Sequence, residues 1–131
     1  MYSKQQLEGI LLSIAKPEVH VARANNTNLG YRVRIRVNIR GSAPFLLGVQ
    51  RSLEQQGVKS RYKDKEHKSR PRPIISVGNI VDIWKLCELV PKKPDAKGIW
   101  EGFRRIVKLI DNGEHHTLEG FEKILEIKGE L

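Results

Sequence analysis

The ten residues from Tyr31 to Arg40 constrain the fold of this chain more than any other segment. One side of the segment is apolar or aromatic, with Tyr31, Val33, Ile35, Val37 and Ile39. The other side is polar and mostly cationic, with Arg32, Arg34, Arg36, Asn38 and Arg40. A period of two over this length predicts a half-buried β-strand. The chain must therefore build a sheet with one apolar face and one positively charged face.

The segments around this strand predict a domain of the α+β class. We expect further strands over 18–24, 58–65 and 71–77, the last two joined by a hairpin loop at 66–70. We expect helices over 3–15, 42–57, 79–91 and 98–111, and from Thr117 onward, with a polar connection over 92–97. This order is αββαββα with two more helices, and it places four antiparallel strands in one sheet with helices on its apolar face. A length of 131 residues suits one domain, which we assign to residues 1–131.

The charge of the chain is concentrated in one third of its length. The protein has 24 Lys and Arg against 15 Asp and Glu, a formal net charge of +9. Residues 32–72 hold twelve basic and three acidic side chains, which accounts for all of that excess. A polyanionic partner would relieve the repulsion within such a block. A solvated, highly charged surface is the alternative, but solubility does not require the charge to be concentrated.

Several classes of protein are excluded or disfavoured. The one cysteine, Cys87, cannot form an intrachain disulfide, and it lies on an apolar helical stripe as a buried thiol would. His115 and His116 are neighbours before a helix cap, which favours solvent-facing loop residues over metal ligands. No phosphate-binding glycine loop, nucleophile elbow, signal peptide or membrane-spanning apolar run is present. We therefore expect an intracellular protein of the cytoplasm or nucleoid, without a membrane partner.

Three segments in a fixed order carry a resemblance to a known family. Residues 7–15 (LEGILLSIA), 30–37 (GYRVRIRV) and 116–124 (HTLEGFEKI) are similar to the motif helix, second strand and C-terminal helix of the LAGLIDADG homing endonucleases. The first segment fits the nine-residue motif at Leu7, Gly9, Ile10 and Leu11. The resemblance covers nearly the whole chain. It implies a four-stranded, antiparallel, curved sheet with helices on one face, and double-stranded DNA as the partner.

The chain departs from the family pattern at the metal ligands. In the family, the acidic residue next to last in the motif binds the divalent metal, and here that position is Ile14. The earlier acidic position is Leu12. Neither side chain supplies the oxygen ligand that Mg²⁺ requires, so no metal-activated water is expected. We predict no catalytic residue, no metal site and no cofactor. Mg²⁺ would matter only if nuclease activity were retained through Glu18, the nearest following acid, or through another ligand that the motif does not indicate.

The motif helix also implies an assembly. In the family this helix is the usual subunit contact, and one motif per chain implies two chains. Small residues permit close helix packing and apolar ones supply contact area. We assign to the homodimer interface Leu7, Gly9, Ile10, Leu12, Ser13 and Ile14. A helix buried within its own monomer is the alternative, but it explains one apolar stripe and not Leu12 as well.

The cationic strand face predicts how DNA would be contacted. A two-stranded ribbon fits the major groove, where Arg can pair with guanine and Asn with adenine. We assign to this face Arg32, Arg34, Arg36, Asn38 and Arg40, with Lys59, Arg61, Lys63 and Lys65 from the third strand. Phosphate contacts, which position without specifying sequence, are assigned to Lys68, Arg70 and Arg72. The face carries no aromatic side chains between its charges, which disfavours stacking on single strands.

The leading hypothesis is a catalytically inactive, homodimeric, double-stranded DNA-binding protein. Two alternatives stay open. One is an RNA-binding, maturase-like splicing cofactor that recognises structured RNA. The other is a retained Mg²⁺-dependent DNA endonuclease.

Overall fold

A computed structural model describes residues 1–92 and 98–130 of the chain. The elements are α1 Lys4–Ser13, β1 Lys16–Arg23, β2 Tyr31–Arg40, α2 Ala43–Gln55, β3 Arg61–Lys63, β4 Ile74–Val77, α3 Ile80–Leu89, α4 Ile99–Asp111, a 3₁₀ turn at Glu114–His116, and α5 Leu118–Glu130. The strands form one sheet in the order β1-β2-β4-β3. The predicted α+β class and αββαββα order are therefore confirmed. Residues 93–97 of the predicted polar connection lie outside the described residues.

Short polar side chains begin the helices where the sequence predicts them. Ser3 forms a capping box with Gln6: the Gln6 amide donates to Ser3 Oγ at 3.1 Å, and the Ser3 amide donates to Gln6 Oε1 at 2.9 Å. Ser42 and Asn79 accept backbone N–H bonds at the starts of α2 and α3. These bonds satisfy amides that have no partner inside the helix.

One compact unit comprises Met1–Lys16 and Arg36–Pro91. Its sheet portion buries alternate side chains of β2 and β4, among them Val37, Ile39, Ile75 and Val77. Helix α2 contacts both β3 and β4 and buries three aliphatic residues of its own. Such apolar burial is the main favourable contribution to folding.

A second compact unit comprises Pro17–Ile35 and Lys92–Leu131. Helices α4 and α5 pack together in it, and Phe103 and Ile124 are fully buried. The Gly120 amide donates to Thr117 Oγ1 at 3.0 Å, so the predicted cap of the last helix is confirmed. A Cβ added at Gly120 would collide with the backbone carbonyl of Glu114, so α5 can pack against the 3₁₀ turn only with glycine there. The assignment of residues 1–131 to a single domain stays a prediction.

The second hairpin differs from its sequence prediction. The strands expected over 58–65 and 71–77 are paired only at Arg61–Lys63 and Ile74–Val77. Pro71 and Pro73 have no N–H to donate to a ladder, so pairing starts after them. The intervening chain forms the predicted hairpin loop, closed by hydrogen bonds between His67 and Arg70.

Cys87 and the two adjacent histidines lie outside the predicted interface. Cys87 is buried, as expected from its helical stripe. His115 and His116 lie in the 3₁₀ turn with ring centroids 3.8 Å apart. His116 is exposed, as predicted, whereas His115 is partly buried. Burial, with a smaller effect of His116, lowers the pKa of His115 below its ordinary value. No helix within residues 1–92 and 98–130 is long and apolar enough to cross a membrane.

Candidate nucleic-acid interface

Strand β2 presents a row of exposed arginines. Arg32, Arg34 and Arg36 are exposed, whereas Ile35 and Val37, which alternate with them, are buried. The alternation predicted from the sequence is confirmed over this part of the strand. Side chains two residues apart stand about 7 Å from one another on one side of a strand. The guanidinium groups therefore form an ordered cationic row.

The first two arginines of this row border a groove in the second unit. Arg32 and Arg34 line it together with His20 and Arg23 of β1 and the turn residues 24–26, around a volume of about 470 Å³. The turn is closed by a hydrogen bond from the Ala24 amide to the Gly30 carbonyl at 2.9 Å. Arg23 and the turn asparagines were not predicted as site residues. In the sequence these residues are recognisable only as the end of β1 and the turn that follows it. Their place beside Arg32 and Arg34 becomes evident once β1 and β2 are known to be neighbours in the sheet.

Two cations of β3 share a face with residues of β2 in the first unit. Arg61 lies opposite Ser76 of β4, which lies opposite Asn38, and Lys63 is linked through Ile74 to Arg40 in the same way. Directly opposed residues in antiparallel strands project to the same face. Both Arg61 and Lys63 are exposed. Lys59 is exposed as well but precedes β3, and its amide donates to Asp82 Oδ1 at 3.2 Å.

Asn38 does not have the exposed position that the alternation predicts. Its side chain is 4% exposed, and its Oδ1 accepts a hydrogen bond from Ser76 Oγ at 2.7 Å. Pairing with β4 begins at Val37, and it places Ser76 directly opposite Asn38, where the two side chains meet. The expectation that Asn38 is an exposed reading residue is wrong.

Arg40 is engaged by an acidic side chain of the loop between β3 and β4. Its Nε donates to Glu66 Oε1 at 2.6 Å and its Nη2 donates to Glu66 Oε2 at 3.0 Å. This two-point pairing is the strongest arrangement available to arginine and a carboxylate. The hydrogen bonding from Arg40 is the main reason that the pKa of Glu66 is lowered. The expectation that Arg40 is exposed on the face as a reading residue does not hold.

The loop at residues 64–73, called the basic loop below, carries four of the predicted phosphate-contacting or reading cations. All four are exposed: Lys65, Lys68, Arg70 and Arg72. The Glu66 amide donates to the Arg72 carbonyl at 2.8 Å, and His67 and Arg70 exchange bonds of 3.1 and 2.9 Å. The loop is thus a small hairpin of its own, with Lys68 and Ser69 at its tip.

Helix α1, which contains most of the motif segment, keeps an uncovered apolar surface. Leu12 is 41% and Ile14 40% exposed, and a Cβ added at Gly9 would meet nothing within 4 Å. Ser13 is exposed and donates its hydroxyl to the Gly9 carbonyl at 2.7 Å. Leu7 is only 1% exposed in the single chain, so its assignment to a subunit contact is wrong. Its side chain belongs to the chain's own core.

The end of α1 lacks the donors that a divalent metal needs. Ile14 caps the helix and, like Leu12, has no oxygen atom in its side chain. Glu18 follows in β1, where its Oε2 lies 3.2 Å from His20 Nε2. No group of three or more His, Cys, Asp or Glu side chains is placed to hold a metal within residues 1–92 and 98–130. The residues present at the motif end therefore do not fit a metal ion.

Comparisons with known proteins give the class of the fold. No family model and no curated protein matches the chain. The homing endonuclease I-TnaI matches with a TM-score of 0.79 and 23% identity, over 96% of this chain and 85% of that one. The LAGLIDADG homing endonuclease I-LtrWI, solved bound to target DNA, matches with a TM-score of 0.80 and 21% identity, over 99% of this chain and 44% of that one.

A third solved structure agrees with these two. The archaeal intron-encoded homing endonuclease I-Vdi141I, complexed with DNA, matches with a TM-score of 0.77 and 19% identity, over 98% of this chain and 83% of that one. The chain has the fold of the LAGLIDADG homing endonucleases, as its three sequence segments predict. It spans less than half the length of I-LtrWI but most of I-TnaI and I-Vdi141I.

Proposed function

We propose that this chain is a LAGLIDADG-like protein that binds double-stranded DNA through its cationic sheet face and does not cleave it. The observation that carries the proposal is the exposed row Arg32, Arg34 and Arg36 on β2. Exposed arginines at a period of two suit the edges of guanines in the major groove, which admits a β-ribbon. In the first unit, Arg61 and Lys63 of β3 are exposed on the same face of the sheet as the last residues of β2.

The remaining exposed cations suit contacts to the phosphate backbone. Such contacts fix the orientation of a protein on the duplex and supply salt-dependent affinity. We assign this role to Lys59, Lys65, Lys68, Arg70 and Arg72. Two structural neighbours, I-LtrWI and I-Vdi141I, were solved with DNA, which supports duplex DNA as the partner.

The loss of nuclease activity is inferred from the end of α1. Cleavage of a phosphodiester by a metal-dependent enzyme needs an ion to activate water and stabilise the leaving oxygen. Ile14 and Leu12 offer the ion no ligand, and Glu18 is already close to His20. The chain therefore keeps charges that suit binding and lacks donors that suit cleavage.

We further propose that two copies of the chain assemble through α1. The exposed apolar side chains Leu12 and Ile14 lie beside the small residues Gly9 and Ser13, and Ile10 is partly exposed. Covering this surface would remove apolar area from water and let two helices approach closely.

The test is a titration with duplex DNA and folded RNA in the presence of Mg²⁺, reading mobility shifts and strand breaks together. A preferred duplex is first selected from a pool of mixed-sequence duplexes of about 30 base pairs, about three helical turns. Tight, salt-sensitive binding with intact strands supports the proposal. Tighter binding to folded RNA would instead indicate a maturase-like cofactor. Strand breaks that disappear with a chelator would indicate a retained endonuclease.

A further inference from the structure

The basic loop is closed by hydrogen bonds within its own backbone. Its backbone closes on itself through the Glu66–Arg72 and His67–Arg70 pairs. The Ser69 amide also donates to His67 Nδ1 at 3.2 Å. Its stem is short, because β3 and β4 pair over only three residues. Bonds of this kind give the loop its shape.

The Arg40–Glu66 pair is a side-chain connection between β2 and the loop. Arg40 is the last residue of β2, and Glu66 lies 26 positions later in the loop between β3 and β4. Both carboxylate oxygens are engaged, at 2.6 and 3.0 Å, and both side chains are largely shielded from solvent. A planar guanidinium in a two-point contact fixes direction as well as distance. The pair thereby links the basic loop to Arg40, the last residue of β2.

We propose that Arg40 and Glu66 are a positioning pair that holds the basic loop in place for DNA, and that Arg40 itself does not contact DNA. The inference rests on the proposed function. A carboxylate on a surface that meets phosphates opposes binding through its charge, so its presence is understandable if it organises the surrounding cations. A loop already held in its bound position loses less conformational entropy when its lysines and arginines engage the backbone.

The substitution Glu66→Gln separates this proposal from a direct role of Arg40, because the two predict opposite signs. If Arg40 were a DNA contact restrained by Glu66, the variant would free a cation, bind duplex DNA more tightly and show a steeper salt dependence. If the pair positions the loop, the variant binds more weakly, by about tenfold, although it is one unit more positive. Arg40→Lys keeps the charge but loses the two-point contact, and it should weaken binding as well.

A matched control shows what the charge change does alone. Glu54 is exposed on α2, outside the basic loop, and Glu54→Gln makes the same change in charge. We expect Glu54→Gln to bind the selected duplex as well as the wild type or slightly better. Equal effects of Glu54→Gln and Glu66→Gln would overturn the positioning role.

A second measurement, amide hydrogen exchange of the free protein, does not depend on DNA. In Glu66→Gln the amides of residue 66, His67 and Arg70 should exchange faster. The amide of buried Ile83 in α3, which donates to the Asn79 carbonyl at 2.9 Å, should keep its protection and report an intact fold. Unchanged loop exchange would overturn the proposal. Faster exchange with unaltered DNA affinity would overturn the link to binding. If the wild type binds no duplex DNA, the proposed function is refuted. The hydrogen-exchange measurement still shows whether the Arg40–Glu66 pair holds the basic loop.

Discussion

Lys68 and Arg34 should affect DNA binding in different ways, because one lies at a loop tip and the other in the strand row. Lys68 projects from the tip of the basic loop, where we assign it to phosphates. Each phosphate contact contributes about 0.9 to the slope of log affinity against log salt. The proposed homodimer would carry two copies, so Lys68→Ala should reduce that slope by about 1.8. Between about 50 and 200 mM salt, this amounts to about a twelvefold change in the ratio of wild-type to variant affinity.

Arg34→Ala should instead lower the preference for the selected duplex. A base contact by arginine is worth about 1–3 kcal/mol, or about 5- to 150-fold in affinity for each contact made. Binding to mixed-sequence duplex should change far less, so the specificity ratio falls. The assay is fluorescence anisotropy with selected and mixed duplexes across a salt series. Lys108→Ala, an exposed lysine of α4, is the control and should leave both slope and ratio unchanged.

Two results would refute this reasoning. A Lys68→Ala slope equal to that of the wild type would remove the basic loop from the phosphate contacts. A loss in Arg34→Ala that is equal for selected and mixed duplexes would show that Arg34 holds phosphates and does not read bases. A slope change near 0.9 would indicate that one loop of the assembly, and not two, meets the backbone.

Three further predictions concern assembly, packing and pH. The double variant Leu12→Lys/Ile14→Lys should sediment as a single chain, because dimerisation would bury unpaired charges. The control Leu47→Lys, at another exposed apolar position, should stay dimeric. A wild type that is monomeric at every concentration would contradict the proposed dimer. Gly120→Ala should lower the free energy of unfolding, measured by urea denaturation, by about 3 kcal/mol, because the new Cβ would collide with the Glu114 backbone. The control Gly129→Ala on the same helix places its Cβ in open space and should not destabilise the protein. Arg40 holds the pKa of Glu66 below its ordinary 4.5, with smaller effects of Arg70 and His67. The stabilisation from the ionised carboxylate is therefore present above pH 4.5 and is lost as the pH falls through the folded-state pKa. The difference in thermal stability between wild type and Glu66→Gln should shrink in acid, and a difference that does not change with pH would contradict this prediction.

Local sequence patterns were sufficient for the elements and for much of the interface. The helix caps at Ser3, Ser42 and Asn79 need only a short polar side chain before an apolar stripe. The exposure of Arg32, Arg34 and Arg36 follows from a period of two beside a buried apolar face. Charge counting alone located the cationic third of the chain.

The fates of Asn38 and Arg40 could not be read in the same way. Both continue the alternating pattern, yet Asn38 is buried against Ser76 and Arg40 is paired with Glu66. Their partners lie 38 and 26 residues away. The groove that Arg32 and Arg34 form with β1 could not be predicted either, because it depends on which strand lies beside β2.

The sequence by itself thus determined the order and type of the strands and helices, and which side of β2 is cationic. The tertiary structure alone decided which of those cations are available to a partner. The physical reason is that periodicity assigns a side chain to a face of its own strand, whereas the neighbouring strand and loop determine whether that face is covered. Arg36 and Arg40 occupy the same side of β2 by periodicity, but Arg36 is exposed whereas Arg40 is paired with Glu66 of the neighbouring loop.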